Sequence, residues 1–298
     1  MGQKQTIKRQ SIIINLLRTR GLTFNEIKSN IENRFNNDEE RLFLSKRTFQ
    51  RDIKDIASLW DIEIKYNTST LKYEIVTDQT DNQSKRLLES LDIVNTINAT
   101  KQVSDFIFFE EREAGGTHFI LDIITAIKNT NVLIIRYNKQ WGVQIHEYFV
   151  EPLAIKEYRY RWYLLAVDRT NNKKKIFGLD RIFSIEQSFK KFTFPSYFNV
   201  KDYFNYTYGV IKAKSERVET IILSFIPIQG KYIKSLPMHN SQKIIIDNNE
   251  ELRISLKIEA TVDFIMDLLY FGENIKVLEP KWLVDHIKIR LKNAYNKY

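Results

Sequence analysis

The chain has 298 residues, a formal net charge of +9 and no cysteine. That length suits two or three units of ~100–150 residues, and the missing cysteine excludes disulfides, thiolate zinc sites and cysteine nucleophiles. The excess of Lys and Arg favours a polyanionic partner. No apolar run approaches the ~20 residues of a spanning helix, so a cytoplasmic protein without membrane contact is expected.

Residues 4–20 read as a first helix, with Ile7, Ile13, Ile14 and Leu17 on a broad apolar face. Its bases Lys4, Lys8, Arg9, Arg18 and Arg20 meet no acid within the segment. Gly21 ends it, and Thr23 with Glu26 has the spacing of a capping box for a second helix. The charged run from Arg34 to Arg41 reads as an extended end of that helix or a loop. Residues 45–60 then place Phe49, Ile53, Ile56 and Trp60 on one helical stripe behind a Ser45 N-cap. Arg47, Arg51 and Lys54 fall on the opposite side with Gln50 at the edge. Such a face suits a DNA major groove: Arg bonds guanine bidentately, Gln bonds adenine, and Lys neutralises phosphate. An ordinary solvated face is the competing reading, because Asp52 and Asp55 flank the bases.

After Trp60 the period changes to two. Ile62, Ile64 and Tyr66 alternate with charges, Asn67 to Thr70 signals a turn, and Leu71, Tyr73 and Ile75 alternate again. Three helices and a hairpin make a winged helix-turn-helix, with 45–60 as recognition helix. The candidate DNA contacts are Ser45, Lys46, Arg47, Thr48, Gln50, Arg51 and Lys54, with Lys65 and Lys72 on the wing. SKRTFQRDIKDI followed by IEIKYNTSTLKYEI resembles the N-terminal domain of bacterial WYL-domain transcriptional regulators. Ser45, Arg47, Thr48, Arg51 and Asp52 carry that resemblance, although the connection before Ser45 is longer than in the tightest helix-turn-helix.

Residues 78–83 read as a linker, and 84–113 as a connecting helical segment that Gly115 and Gly116 break. A short helix is expected over 118–128. From Val132 the chain turns to strands, with Pro152 arguing for a strand end or edge. About five strands in some seventy residues suggest a small barrel. Within them Trp162-Tyr163-Leu164, Pro152, Arg161, Asp168, a polar hairpin and Leu179-Asp180-Arg181-Ile182 follow in order. This stretch resembles the WYL domain itself. The resemblance implies an Sm-like barrel that senses a ligand, with nucleotides or nucleic acid as candidate effectors. Residues 218–298 alternate strand and helix in a βαββαβ-like order with a final helix. They resemble the C-terminal extension of WYL proteins, a ferredoxin-like fold.

The expected class is therefore α+β and multidomain. The units are a winged helix-turn-helix over 1–77, a helical linker over 78–116, a sensor barrel over 117–190, a connector over 191–217 and the C-terminal unit over 218–298. Tyr137, His146, Tyr158, Arg161, Tyr163, Arg169 and Arg181 mix aromatic rings with guanidinium groups, a chemistry suited to stacking and phosphate pairing. The competing reading buries Trp162, Leu164 and Ala166 on one face and pairs Arg181 with an acid such as Asp180. Lys173, Lys174 and Lys175 read equally as a phosphate contact or as a solvated hairpin tip.

Enzymatic signals are missing. His146-Glu147 has no second His at the spacing of a zinc protease, and neither a nucleophile elbow nor a phosphate-binding glycine loop occurs. No enzyme, cofactor or metal is expected. The expected function is sequence-specific regulation of transcription, with repression the preferred sign. The expected partners are a double-stranded, palindromic operator, a nucleotide or single-stranded nucleic-acid effector, and a second copy of the chain. The alternative is a single-stranded nucleic-acid-binding accessory module of a defence or repair system.

Overall fold

The protein is described here from a computed structural model covering residues 3–34, 44–99, 115–139, 144–212 and 217–298. The chain divides into two compact units, 1–111 and 112–298.

In the first unit, α1 (Gln3–Thr19), α2 (Phe24–Arg34) and α3 (Lys46–Trp60) precede a hairpin of β1 (Ile62–Asn67) and β2 (Lys72–Asp78), and α4 (Asn82–Ala99) follows. The local signals explain these boundaries. Thr23 and Glu26 form the reciprocal capping box: the Thr23 backbone N–H donates to Glu26 Oε2 at 2.7 Å, and the Glu26 N–H to Thr23 Oγ1 at 3.3 Å. The Asn67 side chain accepts from the N–H groups of Ser69 and Thr70, which folds the chain back into the hairpin. Phe49 is fully buried between Phe24 and Tyr73, with ring centres 5.4 and 4.8 Å away. Tyr73 in turn pairs its backbone with Leu22, so the hairpin is laced to the start of α2. Ile13, Ile14, Ile27, Ile31 and Ile56 complete this core, each contributing ~1.5–3 kcal/mol by burial.

Two expectations fail here for one reason. The bases of the first helix read as unopposed by acids, and Asp52 as an exposed flank of α3; the Arg9 and Asp52 side chains are instead fully buried and bonded to each other. Arg9 Nη2 donates to Asp52 Oδ1 at 2.9 Å, and Nε donates to Oδ2. Arg18 likewise meets Asp78 at 3.0 Å. The expected loop beyond Arg34 and the helical segment beyond Ala99 lie outside the described residues.

The second unit begins with a 3₁₀ turn (Thr117–Phe119) that leads into α5 (Ile120–Lys128), where one helix was expected. Gly116 makes this start possible. Its φ is +77°, and a Cβ there would fall 2.1 Å from the Leu179 carbonyl oxygen. Five strands follow: β3 (Asn131–Asn138), β4 (Ile145–Tyr158), β5 (Arg161–Asp168), β6 (Lys173–Gly178) and β7 (Ile182–Lys191). They form one antiparallel sheet in the order β6-β5-β4-β3-β7. The long β4 pairs with β3 through its first half and with β5 through its second. Of the two readings for Pro152, a strand end or an edge, the register excludes the first and gives the second locally. Pro152 sits at the bulge where β4 changes partners, past the last β3 pair, so its missing N–H interrupts no ladder there.

Both faces of β5 are covered, since Leu164 and Leu165 are each buried. Leu164 and Ala166 pack with Ile123, Tyr137 and Phe177, and Leu165 packs with Val132, Leu153 and Phe192 on the other side. A connector rich in aromatic residues, containing α6 (Val200–Phe204), lies against this second cluster.

The chain ends with β8 (Val218–Phe225), α7 (Pro227–Ser235), β9 (Lys243–Asp247), β10 (Leu252–Glu259), α8 (Val262–Tyr270), β11 (Ile275–Glu279) and α9 (Lys281–Tyr295). Their antiparallel sheet has the order β11-β8-β10-β9. Ile221, Leu223, Phe225, Ile254 and Leu256 face Phe264, Leu268 and Leu283 of the helices. The molecule thus combines helices with several antiparallel sheets. Among the described residues no helix is long and apolar enough to cross a membrane.

Candidate functional site

Helix α3 presents the first group of candidates. Its apolar stripe is used up in the core, with Phe49 and Ile56 fully buried and Ile53 and Trp60 packed beside them. Lys46, Arg47, Gln50, Arg51 and Lys54 are all exposed. Asp52, one of the two acids that weakened this basic face in the sequence, is withdrawn into the interior by Arg9. The other, Asp55, is half-buried and accepts from Gln10 Nε2 at 3.5 Å. Ser45 serves the backbone: its Oγ accepts from the Thr48 N–H at 3.1 Å and lies 2.8 Å from Thr48 Oγ1. On the hairpin, Lys65 is exposed and near Glu63 at 2.8 Å, and Lys72 is half-buried.

The second group divides. Arg161, Tyr163 and Arg181 come together around Asp180, an acid that the sequence suggested only as a pairing partner for Arg181. Arg161 Nη1 lies 3.5 Å from Asp180 Oδ2, while the Arg181 guanidinium lies over the Tyr137 ring at 5.2 Å. Burial pushes the Tyr163 phenol above its ordinary pKa, against the pull of Arg161. Tyr137 is only 4% exposed, and its hydroxyl accepts from the Gly178 N–H at 3.3 Å. Its ring is the floor under Arg181 rather than an open ligand surface. Beside it lies a pocket of about 200 Å³ lined by Asn138, Ile145, Asp180, Arg181, Ile182 and Phe183. Asp180 Oδ1 is buried without a hydrogen-bond partner among the described residues.

The other three sequence candidates stand apart. His146 is exposed on β4, in register with Tyr137. Arg169 lies 3.6 Å from Glu151. Tyr158 faces Asp267 and Arg159, and burial raises its pKa to about 12. Arg159 bonds Asp267 Oδ1, and the Tyr208 hydroxyl donates to Asp267 Oδ2 at 2.6 Å. Tyr158 therefore belongs to the contact between the five-stranded sheet and α8. Nothing in the local sequence around Tyr158 signals this, because Asp267 lies more than a hundred residues away.

A family model for the WYL domain matches residues 118–187, and one for the WCX domain matches residues 217–295. The chain carries a WYL domain followed by a WCX domain. The WYL match contains the tripeptide and the Leu179-Asp180-Arg181-Ile182 segment that carry the resemblance, and so contains the Arg161, Tyr163 and Arg181 cluster. Among solved structures, the chain is similar to proteasome accessory factor B/C of Arthrobacter aurescens, at 18% identity and a TM-score of 0.35. The likeness covers 99% of this chain and 47% of that one, so this chain spans about half its length. It is also similar to a CRISPR Cas-related protein at 11% identity and a TM-score of 0.35, covering 99% of this chain and 86% of that one. No curated protein matches. Among the described residues no group of three or more His, Cys, Asp or Glu is placed to hold a metal ion.

Proposed function

We propose that this WYL-domain protein is a cytoplasmic, sequence-specific DNA-binding regulator of transcription, acting as a repressor, and not an enzyme. The first unit is read as a winged helix-turn-helix, the five-stranded sheet as an Sm-like sensor and the four-stranded unit as a ferredoxin-like extension. The observation that carries the reading is the division of α3. Every apolar residue of its stripe is committed to the core, while Lys46, Arg47, Gln50, Arg51 and Lys54 face solvent. A buried anchor beneath an open row of guanidinium, amide and ammonium groups is what major-groove readout needs. One such helix per chain reads few base pairs, so a homodimer on a palindromic operator follows.

The WYL pocket with Arg161, Tyr163 and Arg181 is read as the effector site for a nucleotide or a nucleic-acid single strand. Guanidinium groups pair phosphate and the aromatic rings support stacking. Effector occupancy would change DNA affinity through a coupling free energy of ~1–3 kcal/mol.

The test begins with duplexes selected by the full chain from a random pool. Replacing Arg47 and Arg51 together by Ala should weaken binding by ~1–3 kcal/mol for each arginine that reads a base and leave the unfolding midpoint unchanged. Undiminished retention would overturn the assignment of α3. Replacing Arg161 and Arg181 should spare retention and remove the response to effector.

A further inference from the structure

The lysine run Lys173-Lys174-Lys175 has no part in that reading, and β6 separates its members. Alternation along the strand sends Lys175 to one face. There its Nζ bonds Asp168 Oδ2 at 2.6 Å and lies over the Tyr148 ring. Lys174 goes to the other face, with its Nζ 5.0 Å from the centre of the Tyr203 ring and 5.7 Å from that of Phe198. Lys212, arriving from the connector, holds its own Nζ 4.7 Å from the same Tyr203 ring. These two lysines and Lys173 border an open cleft of about 570 Å³ whose apolar lining is Leu165, Ile176 and Ile211.

The charges of this cleft are unbalanced. Glu259 lies 3.7 Å from Lys212. Among the described residues no carboxylate lies within ion-pair reach of Lys173 or Lys174. Two ammonium groups gathered on one aromatic ring repel each other, and the ring's quadrupole offsets only part of that repulsion. A multiply charged anion between them would remove the rest. Ammonium groups are compact point charges that suit phosphate oxygens, and the aliphatic lining with the Tyr203 ring suits a planar or apolar body. The volume lies within the usual range for small-molecule sites, ~300–1,000 Å³.

We propose that this cleft binds a small phosphorylated organic molecule, at a site separate from the Arg161 and Arg181 pocket. The two sites lie on opposite faces of the sheet: Tyr137, beneath Arg181, packs with Leu164 and Phe177, whereas Tyr203 packs with Leu165 and Ile176. The proposal does not depend on the DNA-binding reading.

Titration calorimetry on the full chain tests it, with ADP and pyrophosphate as probes and a short oligothymidylate as comparator. A saturable ADP site that does not need Arg161 or Arg181 is expected, tighter than for pyrophosphate because the base and sugar add contacts. Lys174→Gln and Lys212→Gln should each weaken ADP by roughly tenfold, the loss of one charge-assisted bond. Lys174→Arg should keep most of the affinity, and Tyr203→Leu should weaken ADP more than pyrophosphate. The Arg161→Ala, Arg181→Ala double variant, which removes any nucleotide site in the WYL pocket, should retain saturable binding of both probes, and the lysine substitutions should weaken it in that background too. Absence of saturable binding would overturn the proposal. So would loss of binding in that double variant with none in the lysine variants. Binding of the oligonucleotide but of neither small probe would overturn it in favour of a nucleic-acid surface.

Discussion

Two arginine–aspartate pairs, one in each unit, show how one pair of residue types takes opposite roles. Arg9 and Asp52 join α1 to α3 with both side chains fully buried and two donor–acceptor contacts between them. Arg161 and Asp180 stand 3.5 Å apart at the WYL pocket, with side chains 56% and 15% exposed. In the first pair, withdrawal from water makes each charge dependent on the other, so the pair fixes how α3 is seated. In the second, water screens the attraction, and exchanging one anionic partner for another costs little. The buried pair holds a surface in place, and the open pair leaves its charges available at one.

The largest expected effect breaks the buried pair. Asp52→Ala leaves the Arg9 guanidinium in the interior without its carboxylate, and should cost ~3–5 kcal/mol of stability. Denaturant unfolding measures the loss, and faster amide exchange in α1 and α3 localises it. The combined Arg9→Met, Asp52→Leu variant should recover most of it, because apolar side chains of similar size carry no desolvation penalty. If the single variant costs no more than Arg47→Ala on the exposed face, the contrast between the two pairs collapses.

What the sequence disclosed follows the same division. The capping box at Thr23 and Glu26, the Asn67 turn, the stripe of α3 and the ordered WYL motifs all lie within a few residues of their causes, and all were legible. Asp52 was not, because its partner is 43 residues away and an acid between two bases on an amphipathic helix looks like a solvated flank. Pro152 was half legible for a related reason: it signalled a position with one free side, but not that β4 runs on past it by changing neighbours. The burial of both faces of β5 was half legible, since alternation showed only the Trp162, Leu164 and Ala166 side. At the pocket, Arg161, Tyr163 and Arg181 were found by residue type, whereas the role of Asp180 required the turn after β6 to be placed.

A mid-sized effect sharpens the contrast through pH. Lys156 sits on β4 with its Nζ donating to the Gly209 carbonyl and lying over the Phe204 ring. Burial lowers its pKa to about 8, and nearby Asp263 opposes the shift only in part. Between pH ~8 and its unfolded value of ~10.4 the unfolded chain binds more protons at this residue. Its contribution to stability therefore rises with pH across that window, by at most ~1.4 kcal/mol per pH unit. Below pH ~8 both states are protonated and the contribution is flat. The Tyr158 phenol works the other way. Its folded pKa is raised to about 12, so it stabilises below its unfolded value of ~10, and that contribution is lost as pH rises towards 12. Unfolding of the second unit should thus be most difficult near pH ~10, where the first range ends and the second begins, and Lys156→Met should flatten the rise on the alkaline side of neutrality. A rise that survives in Lys156→Met would assign it to another group.

The smallest effect tests what Ser45 does on the surface that the buried pair supports. Its Oγ accepts from the Thr48 N–H, so Ser45→Ala should cost ~1 kcal/mol by leaving an N-terminal donor of α3 without its cap. Weaker DNA retention in that variant alone would not distinguish a frayed helix from a missing hydroxyl–phosphate bond. Ser45→Asp separates them. Asp is as good an N-cap and complements the helix dipole, so stability should return to that of the parent chain. Its carboxylate would repel a phosphate at the same place. Restored stability with retention still weakened would put the hydroxyl at the DNA backbone. Restored stability with restored retention would make Ser45 a capping residue only, and confine DNA contact to the side chains that follow it.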